Sequence, residues 1–354
     1  MRLGLSLGYL VGDPRSAAAE ALELVRRAED LGFAAVHVAE AYGSDAPTLL
    51  AWLGAQTRRI HLVSAVMQIP GRTPAATAMT AATLDGITGG RFGLGLGVSG
   101  PQVSEGWHGV RFDAPLARTR EYVQIVRAAL AREPLTHSGE HWQLPLPGGQ
   151  GKPLRLALPA PRPDLPIYLA AVGPRNVALA GEIADGWLPV YFSPEHGQAQ
   201  LEQLSAGRAH ATAREGAPAF DIAPTIPMVI TGASGEALAD AQQRVRAHTA
   251  LYLGGMGSRS TNFYHRLATD MGFGEAADEV QRLYLAKEHR NAALAVPQGF
   301  LDATCLVGAP DQIRQRLRAY RAVGVTTAVV APMATTHDGR LRDLENVATL
   351  AAEV

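Results

Sequence analysis

The amino-acid sequence predicts an α/β fold, namely a (β/α)8 TIM barrel with insertions at its C-terminal rim. The first observation is a repeated order of a short apolar strand, a turn, an amphipathic helix and a glycine before the next strand. The second is that eight strand signals occur along the 354 residues. Strands that alternate with helices form a parallel sheet, and eight of them close most simply into a barrel. We therefore expect residues 1–354 to form a single domain.

The first repeat unit carries all of these signals. Leu3–Leu7 is an apolar strand, and Asp13 followed by Pro14 is typical of a helix start, because a carboxylate accepts the free N–H groups of the first turn. Gly32 ends that helix, since glycine adopts the left-handed conformation without a steric cost. Strand two then follows at about Ala35–Ala39.

The later units repeat this order. Strands are predicted at Ile60–Ser64, Phe92–Gly97, Ile167–Ala170, Gly186–Pro189, Ile222–Ile230 and Val325–Val330. Helices are predicted near Asp45–Gln56, Pro74–Ile87, Pro115–Leu130, Pro174–Ile183, Glu236–Leu251 and Asp311–Val323. Two stretches interrupt the repeat, His137–Pro166, where we expect a short hairpin, and Leu251–Pro297. Insertions in a barrel typically lie over the catalytic mouth, so both are expected there.

Composition excludes several functional classes. The 47% hydrophobic residues supply a large core, and 32 basic against 33 acidic residues leave no field that would attract nucleic acid. No apolar stretch approaches the length of a membrane span, so we expect a cytoplasmic protein without a membrane partner. Cys305 is the only cysteine, which excludes a disulfide framework and a thiolate metal cluster.

Two motifs suggest chemistry that their surroundings do not favour. Residues Gly95–Gly100 match the dinucleotide pattern G-x-G-x-x-G, but the next predicted helix begins only near Pro115, too late to meet a pyrophosphate. Residues His137–His141 match the zinc pattern H-x-x-E-H, yet Gly139 favours a hairpin tip over the helix that this chemistry requires. We expect no metal site.

A resemblance to a known family begins at Leu84–Gly97, which reads LDGITGGRFGLGLG. This segment is similar to the luciferase-like family, in which a Leu-Asp, Gly-Gly-Arg motif leads into a strand rich in glycine. Leu169–Pro174, Ala184–Trp187 and Leu306–Asp311 resemble the later hallmarks of that family. Within the family, the pattern looks most like the branch that uses coenzyme F420, and the resemblance spans nearly the whole chain.

The resemblance implies hydride transfer between C5 of the deazaflavin and an electrophilic carbon of a small organic substrate. That carbon belongs to a carbonyl, an imine or an activated alkene. The alternatives are a monooxygenase that uses FMN and oxygen and, more distantly, a non-catalytic flavin-binding protein. The expected assembly is a homodimer.

The resemblance also places the coenzyme. A non-prolyl cis peptide is expected at Ser64–Ala65, where it would form a bulge behind the deazaflavin ring. The end of strand four is expected to contact the ring through Gly97, Val98 and Ser99. The coenzyme phosphate is expected at the turn after strand five, which contains Ala171, Val172, Gly173, Pro174 and Asn176, because N–H groups at a helix start attract anions.

The substrate site departs from the F420-dependent sugar-phosphate dehydrogenases. Those enzymes carry an Asp-His pair where this chain has Glu40 and Ala41, so we do not expect their specific activity. Glu40 ends strand two, where it acts either as a proton donor or as a scaffold.

The remaining candidates lie in predicted mouth loops or in strand two. The substrate is expected to contact side chains that stack or donate hydrogen bonds, namely Trp107, His108, Tyr42, Tyr191, Tyr252 and Tyr264. The anionic tail of the coenzyme is expected to meet guanidinium groups, for which the candidates are Arg72, Arg175 and Arg259. His37, in the middle of strand two, is predicted to be a buried, hydrogen-bonded scaffold residue.

Overall fold

The computed structural model describes residues 1–159, 162, 164–214, 216–232, 234–257 and 262–354. In these residues most strands belong to one curled parallel sheet, and two short strands form a separate antiparallel hairpin. The strands are β1 (Arg2–Gly8), β2 (Ala35–Val38), β3 (His61–Ser64), β4 (Met67–Gln68), β5 (Phe92–Gly97), β6 (His137–Ser138), β7 (Gln143–Leu144), β8 (Ile167–Leu169), β9 (Gly186–Trp187), β10 (Asp221–Ile222), β11 (Thr225–Ile230), β12 (Leu306–Gly308) and β13 (Thr327–Pro332).

The helices cover the outside of the sheet and build the second insertion. They are α1 (Pro14–Asp30), α2 (Ala46–Gln56), α3 (Pro74–Ile87), α4 (Pro101–Gly106), α5 (Pro115–Leu130), α6 (Pro174–Ile183), α7 (Gln198–Arg208), α8 (Glu236–Ala250), α9 (Phe263–Ala268), α10 (Gly274–Leu285), α11 (His289–Ala295), α12 (Gln298–Thr304), α13 (Pro310–Ala322) and α14 (His337–Ala352). Among the described residues, no helix is both long enough and apolar enough to cross a membrane.

The sheet closes into the predicted barrel. Its strands lie in the order β10, β9, β8, β5, β3, β2, β1, β13, β11, β12, so neighbours in the barrel follow one another along the chain. β10 pairs with β9, and β11, which begins three residues after β10 ends, pairs with β13. Ala223 and Pro224 separate the two parts, because Pro224 has no N–H to donate to a ladder. Apart from β12, which only extends the end of β11, this order does not reverse direction, so the sheet has no topological switch of the kind found in open sheets.

The two insertions lie at opposite ends of the barrel. The second runs from α8 to α12, between β11 and its outer helix α13, and therefore lies at the carboxyl end as predicted. The first connects α5 to β8, so it leaves and returns at the amino end, and its expected position over the mouth is wrong. It contains the predicted hairpin, which the Glu121 carboxylate fastens to α5 by accepting the N–H groups of Glu140 (3.0 Å), His141 (3.1 Å) and Trp142 (2.9 Å).

Two apolar clusters support these parts. The larger one packs the strands against the outer helices, with Leu5, Leu50, Phe92 and Ile167 fully buried. The second packs the insertion onto the end of β11 and contains the buried side chain of Phe300. The mouth of the barrel therefore lies beside a helical layer that has its own core.

Buried charges at the amino end of the barrel are thoroughly paired. The Asp185 carboxylate accepts the Ile167 N–H (2.8 Å) and binds the guanidinium groups of Arg127 (3.1 Å) and Arg214. Asp221, at the start of β10, likewise binds Arg2 at 2.9 Å. Because a buried carboxylate needs several partners to offset its desolvation, these contacts fix the ends of the strands.

A second set of amino-end contacts surrounds Arg91, just before β5. Its guanidinium donates to the carbonyl oxygens of Ile60 and Gly54, both at 2.9 Å, and to Thr57. Asp85 binds Arg162 at 3.1 Å beside it. The Leu-Asp, Gly-Gly-Arg segment thus joins α3 to the starts of β3 and β5.

His37 is buried in the middle of β2, as predicted. Burial lowers its pKa to about 4, so the imidazole is neutral near pH 7. Its Nδ1 atom has no hydrogen-bond partner among the described residues, which contradicts the expected hydrogen bond. A Cβ atom on Gly4 of β1 would lie 3.4 Å from His37 Nε2, so the ring packs against the backbone of the neighbouring strand.

Candidate active site at the carboxyl end of the barrel

A bulge follows β3, and its non-prolyl cis peptide joins Ala65 to Val66. The predicted position, Ser64–Ala65, is wrong by one residue. Ser64 still belongs to the ladder, because it pairs with Val38 and its hydroxyl lies 2.9 Å from both the N–H and the carbonyl oxygen of Gly95. The chain changes direction only after this anchor and then pairs again with β5 through β4.

Two glycines of β5, Gly95 and Gly97, allow this bulge to approach the strand. A Cβ atom on Gly95 would lie 1.8 Å from the carbonyl oxygen of Ser64, and one on Gly97 would lie 2.5 Å from Val66 Cγ2. Neither contact is sterically possible without a backbone shift. The G-x-G part of the dinucleotide pattern is therefore explained by close packing. The short helix α4 nevertheless begins directly after Gly100, so the expectation that no helix starts before Pro115 is wrong.

The end of β5 is conformationally unusual. Ser99 has φ of 61°, in the left-handed region that non-glycine residues rarely adopt. Val98 and Ser99 are half-buried and follow Gly97, which packs against the bulge. Such strained residues concentrate at functional sites, so this rim segment is a good candidate wall for a bound ring.

The turn after β8 offers free N–H groups at the start of α6. Among the described residues, the N–H groups of Val172, Gly173 and Arg175 have no acceptor. Asn176 differs, because its N–H donates to the carbonyl oxygen of Gly173 at 2.9 Å, and its amide contact with a phosphate stays a prediction. A Cβ atom on Gly173 would meet nothing within 4 Å. The turn is thus open to an anion.

The rest of the turn is structural. Ala171 is buried, and its carbonyl oxygen accepts the Trp187 Nε1–H at 2.9 Å. Pro174 occupies the first helical position, where its missing N–H costs nothing. Arg175 is exposed beside the free N–H groups. Arg259 lies outside the described residues.

Glu40 lies at the carboxyl end of β2 with all of its acceptor positions used. Arg72 binds both carboxylate oxygens, at 2.6 and 3.0 Å, while the N–H groups of Ala46 (3.1 Å) and Gln68 (3.4 Å) also donate to it. Only 9% of the side chain is exposed. Arg72 also binds Asp45, so this guanidinium is occupied by protein carboxylates. These contacts favour the scaffold interpretation of Glu40 over the acid.

A hydrogen-bonded chain runs from Glu40 to His108. The Gln68 Nε2–H donates to the carbonyl oxygen of Glu40 at 3.3 Å, and Gln68 Oε1 lies 2.6 Å from His108 Nε2. With the Gln68 amide in this orientation, the His108 Nε2 atom carries the ring proton and donates it to Gln68 Oε1. Sequence reasoning missed Gln68, since only its register beside Gly97 identifies it as a rim residue.

The tyrosines predicted to contact the substrate differ in how far their side chains are buried. Tyr191 is 1% exposed and lies at the centre of an aromatic cluster, 5.3 Å from the ring of Tyr252 and 6.3 Å from that of Tyr264. Tyr191 is thus enclosed by these neighbours, and its contact with a substrate stays a prediction. Burial, together with Tyr9 and Tyr42, raises the pKa of Tyr252 to about 12, so its hydroxyl stays protonated.

Two contacts join the loop after β5 to the second insertion. The Gln102 side-chain amide both donates to and accepts from the Gly257 backbone, each at 3.0 Å. The rings of Phe112 and Phe263 lie 6.5 Å apart. Trp107, in the same loop, is 65% exposed, and its contact with a substrate stays a prediction.

A family model described as luciferase-like monooxygenase matches residues 1–327. The chain belongs to this family. A Mycobacterium tuberculosis (H37Rv) protein, provisionally named as a coenzyme F420-dependent oxidoreductase, is 47% identical to this luciferase-like protein over 335 residues. The match covers 93% of this chain and 94% of the relative.

Solved structures of the same fold include users of two different coenzymes. The coenzyme F420-dependent tetrahydromethanopterin reductase of Methanopyrus kandleri superposes with a TM-score of 0.81 at 21% identity, covering 99% of this luciferase-like chain and 98% of that one. The oxygenating component of a Pseudomonas putida diketocamphane monooxygenase, solved with FMN, superposes with a TM-score of 0.66 at 19% identity, covering 100% and 98%. At these identities the superpositions establish the fold alone.

Proposed function

We propose that the protein is an oxidoreductase that uses coenzyme F420 and transfers a hydride between C5 of the deazaflavin and an electrophilic carbon of a small organic substrate. That carbon belongs to a carbonyl, an imine or an activated alkene. The observation that carries the proposal is the 47% identity, over nearly the full length of both chains, to a protein named for this coenzyme.

Features of the carboxyl end fit such a coenzyme. The bulge at Ala65–Val66 and the segment Val98–Ser99 would hold the ring, because they lie side by side at the mouth. The N–H groups of Val172, Gly173 and Arg175 would hold the phosphate, since they have no acceptor among the described residues and Gly173 leaves the approach open. When bound, a deazaflavin supplies a nicotinamide-like hydride carrier.

The protein's own groups then supply position and a proton. The Glu40–Arg72 pair fixes Gln68 and, through it, the orientation of His108. Glu40 is in this proposal a positioning residue. The Tyr252 hydroxyl is the candidate donor of a hydrogen bond to the substrate heteroatom, because its side chain is half-buried beside Tyr264 and a phenol is protonated across the neutral range.

The test is a set of parallel fluorescence-quenching titrations with F420, FMN and NADPH. We expect saturable binding of F420 and binding of FMN that is weaker by about tenfold or more, a difference of roughly 1.4 kcal/mol. Oxidation of reduced F420 by a panel of ketones, imines and activated alkenes then identifies the electrophile. Tight binding of FMN without measurable affinity for F420 would overturn the proposal and favour the oxygen-dependent alternative.

A further inference from the structure

Two hydroxyl groups in the core of the second insertion have no hydrogen-bond partner among the described residues. They belong to Tyr191, which follows β9, and to Thr249, in the last turn of α8. Tyr191 is 1% exposed and Thr249 is fully buried, so neither hydroxyl reaches bulk solvent. A buried hydroxyl without a partner destabilises the folded chain, because it has given up its hydrogen bonds to water.

Thr249 differs from two other buried threonines of the helices. Thr119 donates its hydroxyl hydrogen to the carbonyl oxygen four residues earlier, at 2.7 Å. Thr77 is hydrogen-bonded directly to the hydroxyl of Tyr122, at 2.5 Å. In the part of the chain that the structure describes, Thr249 makes neither kind of contact, although Tyr191 offers it a phenol as Tyr122 does to Thr77.

The two unpartnered hydroxyls lie near each other. Burial raises the pKa of Tyr191 well above its usual value, and the Thr249 hydroxyl lowers it, which requires a short distance. The backbone of Tyr191 has φ of 55°, which is rare for a residue other than glycine. The ring of Phe300, 5.5 Å from that of Tyr191, packs on one side. Both hydroxyls are therefore enclosed by protein, and each can donate one hydrogen bond and accept others.

We propose that Tyr191 and Thr249 bind an internal water molecule, which accepts a hydrogen bond from one hydroxyl and donates one to the other. Buried waters have about two to four polar partners, and this pair supplies the minimum. One bridging water accounts for both unpaired hydroxyls. It also explains why Thr249 is not in direct contact with Tyr191, whereas Thr77 is in direct contact with Tyr122.

The water fixes the ring that supports the candidate hydrogen-bond donor. Tyr191 stands edge-on to Tyr252 and Tyr264, with ring centroids 5.3 and 6.3 Å away. Asn262 holds the same pair from the backbone side, because its amide donates to the Tyr252 carbonyl oxygen and its oxygen accepts the Tyr264 N–H, both at 2.9 Å. Tyr191 and Thr249 are therefore positioning residues, and this role rests on the proposed function of Tyr252.

The first test is the sign of the stability change in Y191F, T249V and the double variant, measured by urea denaturation. If the water is bound, each single variant removes one of its partners, so the folding equilibrium constant should fall by about three- to tenfold. The double variant should fall by less than the product of the two, because all three variants lose the same water. If no water is bound, each variant removes an unpaired buried group, and unchanged or increased stability would overturn the proposal.

A high-resolution crystal structure provides the second test. We expect density for an oxygen atom about 2.7–3.0 Å from both hydroxyls in the wild type and none in the double variant. T249S keeps the hydroxyl and should retain the water, whereas T249V should lose it. Direct contact between the two hydroxyls, with no density between them, would also overturn the proposal.

Kinetics of the F420-loaded protein test the positioning role. With the best electrophile of the panel, Y191F and T249V should lower kcat/KM by about tenfold at an unchanged Kd for F420, and T249S should restore it. The control T119V removes a buried hydroxyl of α5 whose partner is a helix carbonyl, and it should leave kcat/KM unchanged.

The outcomes separate this inference from the proposed function. Wild-type kcat/KM in both Y191F and T249V overturns the positioning role. A tenfold fall in T119V as well overturns it too, because any loss of a buried hydroxyl would then have the same effect. A protein that holds the water but does not bind F420 supports the water site and overturns the coenzyme proposal.

Discussion

The two ends of the barrel differ in how completely their polar groups are paired. At the amino end, Asp185 and Arg91 each contact several partners within the protein. At the carboxyl end Glu40 is paired as well, but the N–H groups of Val172 and Gly173 have no acceptor among the described residues. Groups that are satisfied internally stabilise the fold, whereas unsatisfied ones are available to a ligand. The difference teaches which substitutions should affect stability and which should affect binding.

The largest effect should come from Asp185→Ala. It leaves the guanidinium groups of Arg127 and Arg214 and the Ile167 N–H without their acceptor, so the free energy of unfolding should fall by about 3–5 kcal/mol. Urea denaturation measures this. The control Asp311→Ala removes a carboxylate that is 90% exposed and should cause no measurable change. Equal stability of the two variants would show that the amino-end pairing is not stabilising.

The next largest effect should come from Gly173→Leu, which tests whether the unpaired N–H groups at the carboxyl end bind the coenzyme. The side chain would occupy open space, so stability should change by less than about 1 kcal/mol, while F420 affinity should fall by tenfold or more. Gly86→Leu is the matched control, since a Cβ atom at Gly86 also meets nothing within 4 Å and the residue lies on α3. Unchanged F420 affinity in Gly173→Leu would show that the coenzyme phosphate does not bind at this turn.

A smaller effect is expected from Glu40→Gln. The substitution weakens the hydrogen bonds to Arg72 and should lower the free energy of unfolding by about 1–2 kcal/mol, with kcat reduced by less than about threefold. Glu345→Gln, which alters a half-exposed pair with Arg27, is the control. A fall in kcat of about a hundredfold or more at unchanged coenzyme affinity would instead identify Glu40 as the proton donor.

The smallest effect concerns Asp343, a buried carboxylate of α14 beside the end of β11. One oxygen accepts the Ile230 N–H at 3.2 Å, and the other has no partner among the described residues. Burial raises its pKa from 3.8 to about 6. The native state then binds the proton more tightly than the unfolded chain, so the stability that this group contributes is present below pH 4 and is lost as the pH rises through 6.

Asp343→Asn should abolish this dependence. Between pH 4.5 and 7.5, the wild type should lose about 1–2 kcal/mol of stability relative to the variant, as measured by urea denaturation at each pH. Asp240→Asn, at an exposed position of α8, controls for net charge. Parallel pH profiles of stability for wild type and Asp343→Asn would show that the Asp343 carboxyl has the same pKa in the folded and the unfolded chain.

Much of the fold could be predicted because the residues that begin and end each helix or strand lie within that element or next to it in the sequence. Proline at the first helical position defines the starts of α3, α5 and α6, whose predicted and observed bounds agree. Helix α7 was missed because Gly197 caps it without a side-chain hydrogen bond. Strand β12 was missed because it is three residues long and extends only the end of β11.

The site was less predictable because its contacts are not local. The partners of Glu40 lie up to 32 residues away, and the burial of Tyr191 depends on an insertion that begins 60 residues later. Two of the segments that identify the family, around Asp85–Arg91 and Asp185–Trp187, have their polar contacts at the amino end, whereas Gly95–Gly97 and Leu169–Pro174 reach the carboxyl end as backbone that a coenzyme common to the family would meet. They therefore indicate the scaffold, whereas substrate choice depends on loops that such motifs do not describe.

The pairing of β1 with both β2 and β13 has a consequence for synthesis. One edge of β1 has no partner until Thr327–Pro332 has been made, roughly 320 residues later. At about 5–20 residues per second, translation leaves that edge, with the apolar side chains of Leu3 and Leu5, open for about 15–60 s. Unpaired strand edges are templates for association with other chains. Expression yield should therefore respond to translation rate and to chaperones that bind emerging chains, independently of how stable the finished barrel is.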